Sequence, residues 1–369
     1  MTIVTTYPGV YIQELQSLSL SVSPNATAIP AFAIDDNDAR FTENTRISSW
    51  MDYTNKIGAF DKDNVLDVCM RIYFENGGGR CYLIPANQLI EEIPKQIDVT
   101  LIVSAGQDIT SAVNQLCRNG NTLFAILDGP EDDLDNKPFT LAKHDSGQSR
   151  PSTETGAGAI STGNNPFAAV YYPWLEAPWS NVDIPPSAAM AGIYSMVDLT
   201  RGVWKAPANV TLRGGVLPKY PVTDDLQGRY TKGPNAINMI RVFETGGPTV
   251  WGARTREDSD QWRYISVRRL FNAAERDIKI AMNAAMFEPN NQPTWELTRA
   301  AITNYLHRLW QQGALAGAKE SEAFFVQVGK DVTMTREEID DGLMIVKVGM
   351  AAVRPAEFII LQFTQDMSH

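Results

Sequence analysis

The side chains that most often carry chemistry, cysteine and histidine, are few in this chain of 369 residues and lie far apart in it. They are Cys69, Cys81, Cys117, His144, His307 and His369. The cysteine count is odd and no Cys-x-x-Cys spacing occurs, so we predict reduced thiols in a core rather than disulfides or a zinc site. The three histidines are too widely separated for a histidine-based metal centre to be expected.

Sequence motifs for catalysis and for phosphate binding are also missing. The chain has no HExxH, GxSxG or GxxxxGK[ST] pattern, and no GxGxxG follows a predicted strand. Gly77–Gly79 precedes a predicted strand, and we interpret it as the end of a helix. Gly228–Gly233 has the wrong spacing for a phosphate loop and is interpreted as a surface turn. The sequence therefore predicts no catalytic residue and no cofactor, while an α/β enzyme of unknown substrate stays open as an alternative.

Carboxylates cluster at two places where they could bind a divalent cation, Asp224-Asp225 and Glu257–Asp260. Carboxylates that are simply solvated on loops are the commoner occurrence, and we prefer that interpretation for both clusters. We therefore predict no metal site in this chain.

The composition excludes several classes of protein. Hydrophobic residues make up 44% of the chain and charged residues 20%, which provides a packed core and rules out global disorder. Acidic residues outnumber basic ones by 43 to 32, and the net charge of -11 argues against a nucleic-acid coat. The sequence contains no run of about 18 apolar residues, so we predict no membrane span. No Lys or Arg precedes Arg40, so we expect no secretory signal.

Strand-like and helix-like segments alternate from residue 29 onward and predict a mixed α/β layer. The predicted strands are Ile29–Ile34, Arg80–Ala86, Asp98–Gly106, Thr122–Gly129 and Pro166–Trp174, and the predicted helices are Asp63–Gly79, Ser111–Gly120 and Pro185–Gly202. Residues 128–165 begin with an acidic cluster and continue with Ser, Thr, Gly and Asn, so we expect a flexible excursion there. Residues 204–235 are rich in Gly, Pro and Lys and are expected to be irregular.

The last third of the chain has the most regular pattern. Strands are predicted at Ile237–Phe243, Thr249–Thr255, Ala323–Gly329, Leu343–Val353 and Glu357–Gln365, and long helices within Arg263–Glu288 and Pro293–Gly313. Thr335 and Glu338 form a capping box, which predicts a short helix that ends at Gly342.

The N-terminal segment contains a short strand that has no partner beside it in the sequence. Val10 and Ile12 alternate with Tyr11 and follow a Pro-Gly turn. Such a strand pairs with a distant part of its own chain or with another molecule.

Six stretches in order along the chain resemble the contractile tail sheath proteins. They are Tyr7–Glu14 (YPGVYIQE), Pro185–Asn209 (PPSAAMAGIYSMVDLTRGVWKAPAN), Asn238–Phe243 (NMIRVF), Val250–Leu270 (VWGARTREDSDQWRYISVRRL), Met286–Trp295 (MFEPNNQPTW) and Arg354–Phe363 (RPAEFIILQF). The short length and the stretch Asp224–Tyr230 (DDLQGRY) most resemble the short sheath subunits of extracellular contractile injection systems, which are phage-tail-like particles of the antifeeding-prophage and virulence-cassette type. Many phage sheaths carry large outer insertions, and only residues 128–165 could be one here.

This resemblance implies a fold class and a domain division. The expected fold is mixed α/β, the two-domain tail-sheath fold with extended N- and C-terminal strand arms. We expect an N-terminal arm at residues 1–22, an α/β domain at 23–235, a C-terminal α+β domain facing the tube at 236–353, and a C-terminal arm at 354–369.

The resemblance also implies a structural function rather than an enzyme. Subunits would polymerise as stacked hexameric rings around an inner tube and contract to drive the tube through a target envelope. A tail sheath of a contractile bacteriophage or of an R-type bacteriocin is the alternative. The implied partners are further copies of the chain, the inner tube protein, baseplate and terminal cap proteins, and paralogous sheath subunits, without nucleic acid and without direct membrane insertion. Synthesis in a bacterial cytoplasm and release within an assembled particle are expected.

Two sets of residues are predicted to act in assembly. The arms would add strands to neighbouring subunits through Val10, Tyr11, Ile12, Phe358, Ile359, Ile360 and Leu361. The candidate tube-facing residues are Arg268, Arg269, Arg276 and Lys279, which are basic residues in an acidic protein. An ordinary solvated or inter-subunit helix face remains the alternative for the second set.

Overall fold

The computed structural model describes residues 20–135, 164–233, 236–244 and 246–358. These residues belong to two compact units. The sheet unit comprises residues 25–275 and the chain from residue 352 onward. The small unit comprises the residues up to 24 and residues 276–351.

The sheet unit is organised by a nine-stranded sheet. Its strands are β1 (Pro30–Ile34), β2 (Thr45–Ile47), β3 (Cys81–Pro85), β4 (Leu101–Val103), β5 (Phe124–Asp128), β6 (Ala168–Tyr172), β8 (Val210–Thr211), β10 (Asn238–Val242) and β11 (Pro248–Trp251), and β7 (Leu175–Glu176) pairs separately with β9 (Leu217–Pro218). The sheet order is β2-β3-β1-β4-β5-β6-β10-β11-β8. The six strands from β3 to β10 run parallel, and β2, β11 and β8 are antiparallel to their neighbours.

Both faces of this sheet are covered, as expected of parallel strands. In β1, Phe32 and Ile34 point into one core, whereas Ala31 and Ala33 point into the other. The helices of this unit are α1 (Trp50–Ile57), α2 (Val65–Glu75), α3 (Leu89–Glu92), α4 (Thr110–Leu116), α5 (Pro186–Arg201) and α6 (Asp224–Tyr230), with short 3₁₀ turns at Ala86–Gln88 and Ile93–Lys95. Helices α2 and α5 contribute to the first core, and α3, α4 and α6 to the second.

Helix α5 crosses α2 at very short range. A Cβ atom added at Gly192 would lie 2.5 Å from the carbonyl oxygen of Tyr73 and 2.9 Å from the Cβ of Asn76. Only glycine therefore allows the two backbones to approach this closely. This contact lies within the stretch that carries the strongest central resemblance to the sheath family.

A long helix, α7 (Ile265–Met282), begins in the sheet unit and continues into the small unit. The remaining elements of the small unit are a 3₁₀ turn (Asn283–Ala285), α8 (Gln292–Gln311), α9 (Glu320–Ala323), β12 (Phe324–Gln327), α10 (Arg336–Asp340) and β13 (Lys347–Met350). The capping box predicted before α10 is confirmed, because the backbone N–H of Thr335 donates to Glu338 at 2.8 Å and the Thr335 hydroxyl accepts from the backbone N–H of Glu338 at 3.3 Å.

The structure corrects the sequence predictions in two places. The boundary predicted between residues 235 and 236 is wrong, because β10 pairs in parallel with β6 and so belongs to the sheet unit. Residues 204–235 are less irregular than predicted, since α6 forms there with the side chain of Thr223 accepting from the backbone N–H of Leu226. The flexible excursion predicted at residues 128–165 lies largely outside the described residues.

Candidate assembly surfaces

The small unit contains a sheet of only two strands within the described residues. Strands β12 and β13 pair in antiparallel register from Phe324 opposite Met350 to Gln327 opposite Lys347. Phe325 is half exposed and its ring lies over Gly349, where an added Cβ would come within 2.2 Å of the ring. A two-stranded sheet is marginally stable by itself, and unpaired strand edges are templates for further strands. This sheet is therefore the first candidate assembly surface.

The predicted arm residues fall mostly outside the described part of the chain. Val10, Tyr11 and Ile12 precede it, and Ile359, Ile360 and Leu361 follow it. The remaining predicted arm residue, Phe358, is described; it is 68% exposed and is not part of a strand.

The basic residues of α7 do not form one exposed surface. Arg268 is 3% exposed, and its guanidinium carbon lies 4.1 Å from the ring centre of Trp262 and 4.7 Å from that of Phe167. It donates to the side chain of Asn272 at 2.8 Å and to Glu275 at 3.1 Å. Burial lowers its pKa. Arg268 is therefore buried inside the sheet unit and is withdrawn from the candidate tube-facing set.

Arg269 is buried as well, with 3% of its surface exposed. It donates two hydrogen bonds to Asp198 of α5 and lies 4.6 Å from the ring centre of Tyr194. It too is unsuited to an exposed basic surface. Arg276 is nearly buried in the small unit, whereas Lys279 is exposed. Tube contact by Lys279 stays a prediction.

The two acidic clusters are partnered by arginines. Asp224 and Asp225 are highly exposed and form ion pairs with Arg241 and Arg229. Asp258 lies 2.7 Å from Arg263. Burial acts to raise the pKa of the Asp258 carboxyl, but the hydrogen bonds from Arg263 and Gly233 together with the charges of Arg263 and Arg254 lower it overall. The loop placement predicted for Asp224 and Asp225 is wrong, because both lie in the first turn of α6, whereas Glu257–Asp260 lies on a loop. Among the described residues, no group of three or more His, Cys, Asp or Glu is placed to hold a metal ion.

The three cysteines are free and buried, as predicted, and burial raises the pKa of each thiol. In contrast, His307 is partly exposed; its ring lies 3.4 Å from Glu320 and hydrogen-bonds to Gln311 at 2.8 Å. The raised thiol pKa makes the cysteines poor nucleophiles, and these partners of His307 include no hydroxyl or thiol that the imidazole could activate.

A cavity of about 440 Å³ lies beyond the carboxyl end of β1, where parallel sheets of α/β enzymes commonly bind ligands. Its polar lining consists of Asp35, Asn37, Asp38, Asp63, Asn64 and Gln107. This lining includes no Ser, Cys, His or Lys, and Asp38 is already paired with Arg40 at 2.7 Å. The cavity therefore provides no serine, cysteine or lysine nucleophile and no histidine base for the alternative of an α/β enzyme.

Sequence reasoning also missed a buried carboxylate. Asp128, at the end of β5, accepts from the hydroxyl of Ser104 at 2.6 Å, from the N–H of Gly106 at 2.9 Å, and from the N–H and hydroxyl of Ser187 at 2.7 and 2.9 Å. Burial raises its pKa. Ser187 lies in the first turn of α5, so Asp128 joins β5, the loop after β4 and the start of α5. The role of Asp128 is structural. From the sequence alone it was identified only as a member of the acidic cluster that begins residues 128–165.

Comparison with known proteins identifies the family. A model of the phage tail sheath C-terminal domain matches residues 257–366. The sheath complex of the extracellular contractile injection system PVC, solved by cryo-EM in the contracted state, is 59% identical over 99% of both chains, with a TM-score of 0.87. The chain belongs to the contractile tail sheath proteins. It is a contractile sheath subunit, and its mixed α/β fold is the sheath fold that the resemblance implied.

Other solved structures agree with this assignment of the sheath subunit. A chain of the contracted anti-feeding prophage (AFP) baseplate is 45% identical over 98% of this chain and 100% of that one, with a TM-score of 0.85. The sheath tail protein of Desulfitobacterium hafniense is only 10% identical over 86% of this chain and 93% of that one, and its TM-score of 0.60 shows the shared fold alone. No curated protein sequence matches the chain. Among the described residues, no helix has the length and apolarity that crossing a membrane requires.

Proposed function

We propose that this sheath subunit polymerises as stacked hexameric rings around an inner tube and that contraction of the polymer drives the tube through a target envelope. The observation that carries the proposal is the 59% identity over the whole chain to a sheath complex solved in its contracted state. The related AFP structures include both a baseplate and a helical sheath. This supports self-assembly and a baseplate partner for the present chain, within a particle that acts outside the cell that makes it.

Links between subunits would form by strand addition to the small unit. The edges of the β12–β13 sheet can each accept a strand, and an extended arm supplies several backbone hydrogen bonds together with side chains for the exposed face. The arms proposed to do this contain Val10–Ile12 and Phe358–Leu361. Such links would hold neighbouring subunits together while the sheet units rotate during contraction.

Contact with the inner tube would use the exposed part of α7 in the small unit. Lys279 is the one member of the predicted basic set that is open to solvent. A lysine at this position can pair with a carboxylate on a tube protein at an interface that must later release, because exposed ion pairs are weak individually. Terminal cap proteins and paralogous sheath subunits would complete the particle.

The mechanism would draw its energy from new contacts in the contracted polymer and not from a catalysed reaction. Each subunit need contribute only a small free energy, because a long helical array multiplies it. The trigger would act at the baseplate, and the strand links would pass the change from one ring to the next.

Electron microscopy of the purified chain over a concentration series tests the proposal. Tubes or stacked rings with a wide lumen would support it. If only small particles form, the grid is repeated with the cognate tube protein as a template. Small particles in both series would overturn the proposal, and turnover of a substrate would favour the α/β enzyme.

Truncation then tests the strand links separately. A chain lacking residues 1–19 should fold but fail to polymerise, because one strand would be missing from each link. Normal sheaths from this truncated chain would show that the N-terminal arm is not a link.

A further inference from the structure

The last described residues of the chain are held by one arginine of the sheet unit. Arg254 donates from Nε to one carboxylate oxygen of Glu357 at 2.8 Å and from a terminal nitrogen to the other at 2.7 Å. The hydroxyl of Tyr264 donates to Glu357 at 3.2 Å. A two-point arginine–carboxylate pair is among the strongest and most directional polar contacts in proteins. We call Arg254, Tyr264 and Glu357 the clamp.

The clamp lies just after the chain returns to the sheet unit. Residues 276–351 form the small unit, but the chain from residue 352 onward belongs again to the sheet unit. Residues 353–358 form no strand or helix, so they lack the regular backbone hydrogen bonds that hold such elements in place. Glu357 directly precedes Phe358–Leu361, the residues predicted to form the C-terminal arm strand.

Arg254 is itself anchored to the central sheet. Its backbone N–H donates to the side-chain oxygen of Asn238 at 2.7 Å, and its carbonyl accepts from the side-chain nitrogen of the same residue at 2.8 Å. That nitrogen also donates to the carbonyl of Val170 in β6 at 3.1 Å. Asn238 belongs to β10 and is buried. Gly252 permits this contact, since a Cβ there would lie 2.8 Å from the Asn238 oxygen.

We propose that the clamp is a positioning device that fixes the root of the C-terminal arm, by which we mean the residues directly before Phe358. Through Arg254 and Asn238 it carries force from that arm into the nine-stranded sheet. The proposal rests on the proposed function, in which the arm binds a neighbouring subunit. An arm that binds a neighbour but slides at its root could not turn the sheet unit. The clamp supplies a continuous series of hydrogen bonds from Glu357 to β10 and β6.

The test uses Glu357→Ala, with Glu357→Gln as a milder variant that keeps the shape of the side chain. Asp260→Ala is the matched control, because Asp260 is an exposed carboxylate of the same loop that pairs with Arg263 and reaches Arg254 only indirectly, through Asp258. NMR backbone order parameters of the unassembled chain are measured first. Glu357→Ala should lower the order parameters of residues 356–358 to below about 0.6, the range of flexible backbone, while the rest of the chain and the thermal midpoint stay near those of the control. Unchanged order parameters at these residues would overturn the clamp.

Assembly is measured second, by sedimentation of sheaths and by the fraction that remains intact after triggered contraction. Glu357→Ala should lower that intact fraction by about tenfold relative to Asp260→Ala. Lower order parameters at residues 356–358 combined with fully intact contracted sheaths would overturn the force-carrying role.

A chain lacking residues 359–369 separates the two ideas. If this truncated chain assembles and contracts normally, the arm's role in the proposed function is wrong. If truncation abolishes assembly while Glu357→Ala has no effect on sheaths, only the clamp is wrong.

Discussion

Arg269 and Asp198 form a two-point ion pair inside the sheet unit, with guanidinium–carboxylate distances of 3.0 and 2.6 Å. The pair joins the long helix α7 to α5, and both side chains are almost completely buried. Thr27 completes the group, because its hydroxyl donates to Asp198 at 2.5 Å and its carbonyl accepts from Arg269 at 3.1 Å. The chain near its N-terminal arm is thus fixed by an arginine–carboxylate pair, as it is near its C-terminal arm by Arg254 and Glu357.

The first prediction concerns this pair. Asp198→Ala should lower the free energy of unfolding by about 3–5 kcal/mol, because it leaves the Arg269 guanidinium buried without its counter-charge. Chemical denaturation of the unassembled chain measures the change. Asp225→Ala is the control and should change stability by less than about 1 kcal/mol, since Asp225 is highly exposed in its pair with Arg229. Equal effects of the two substitutions would show that burial does not strengthen the Asp198 pair.

The second prediction concerns a buried arginine that, unlike Arg269, has no partner for its guanidinium among the described residues. Arg256 is fully buried, and none of its three guanidinium nitrogens has a hydrogen-bond partner among the described residues. Burial lowers the pKa of this arginine to about 10, so it is still charged at neutral pH. Arg256→Met should therefore stabilise the unassembled chain by about 1–4 kcal/mol, because a methionine removes the desolvation cost and retains most of the volume.

Arg263→Met is the control for Arg256→Met, since Arg263 is partnered by Asp258 and Asp260. It should leave stability unchanged or lower it by up to about 1 kcal/mol. A loss of stability in Arg256→Met would contradict the prediction and would show that the guanidinium has a counter-charge.

Much of the sheet unit was predictable because its signals are local. Buried strands such as Thr122–Gly129 and helices that end in glycine repeat along the chain, and this alternation is enough to predict a layered α/β fold. The strand order was not predictable in this way, because the pairing of β10 with β6 joins residues that are far apart in sequence. The predicted domain boundary failed for the same reason.

The candidate surface on α7 shows a different limit. Helical spacing groups Arg268 and Arg269 with Lys279 on one polar face. That face is expected to be exposed, because charged residues are rarely buried unless they are paired. The ion-pair partner of Arg269 is 71 positions earlier, and Phe167, one of the aromatic rings against Arg268, is 101 positions earlier. Trp262 and Asn272 are local partners of Arg268, but no local pattern reveals the distant groups that complete the burial of either arginine.

The third prediction tests the close approach of α5 to α2. Gly192→Ala should lower the free energy of unfolding by roughly 1–3 kcal/mol or more, because the new methyl group would meet the backbone carbonyl of Tyr73. Gly228→Ala is the matched control, since Gly228 lies in α6 with open space around it. It should stabilise the chain by about 0.5–1 kcal/mol, as alanine does in an exposed helix. Thermal unfolding of both variants would decide, and a neutral Gly192→Ala would mean that the two helices can separate at low cost.

The fourth prediction concerns the inner tube. Lys279→Glu should weaken co-assembly with the tube protein, because it replaces a cation with an anion on the exposed part of α7. The loss should be about tenfold at low salt and should shrink as ionic strength rises, since exposed charges are screened within about 10 Å at 0.1 M salt. Lys319→Glu is the control, because Lys319 is also exposed in the small unit and makes the same change in net charge. Sedimentation of sheath subunits with preformed tubes measures the effect, and equal co-sedimentation of the two variants would remove Lys279 from the tube-facing surface.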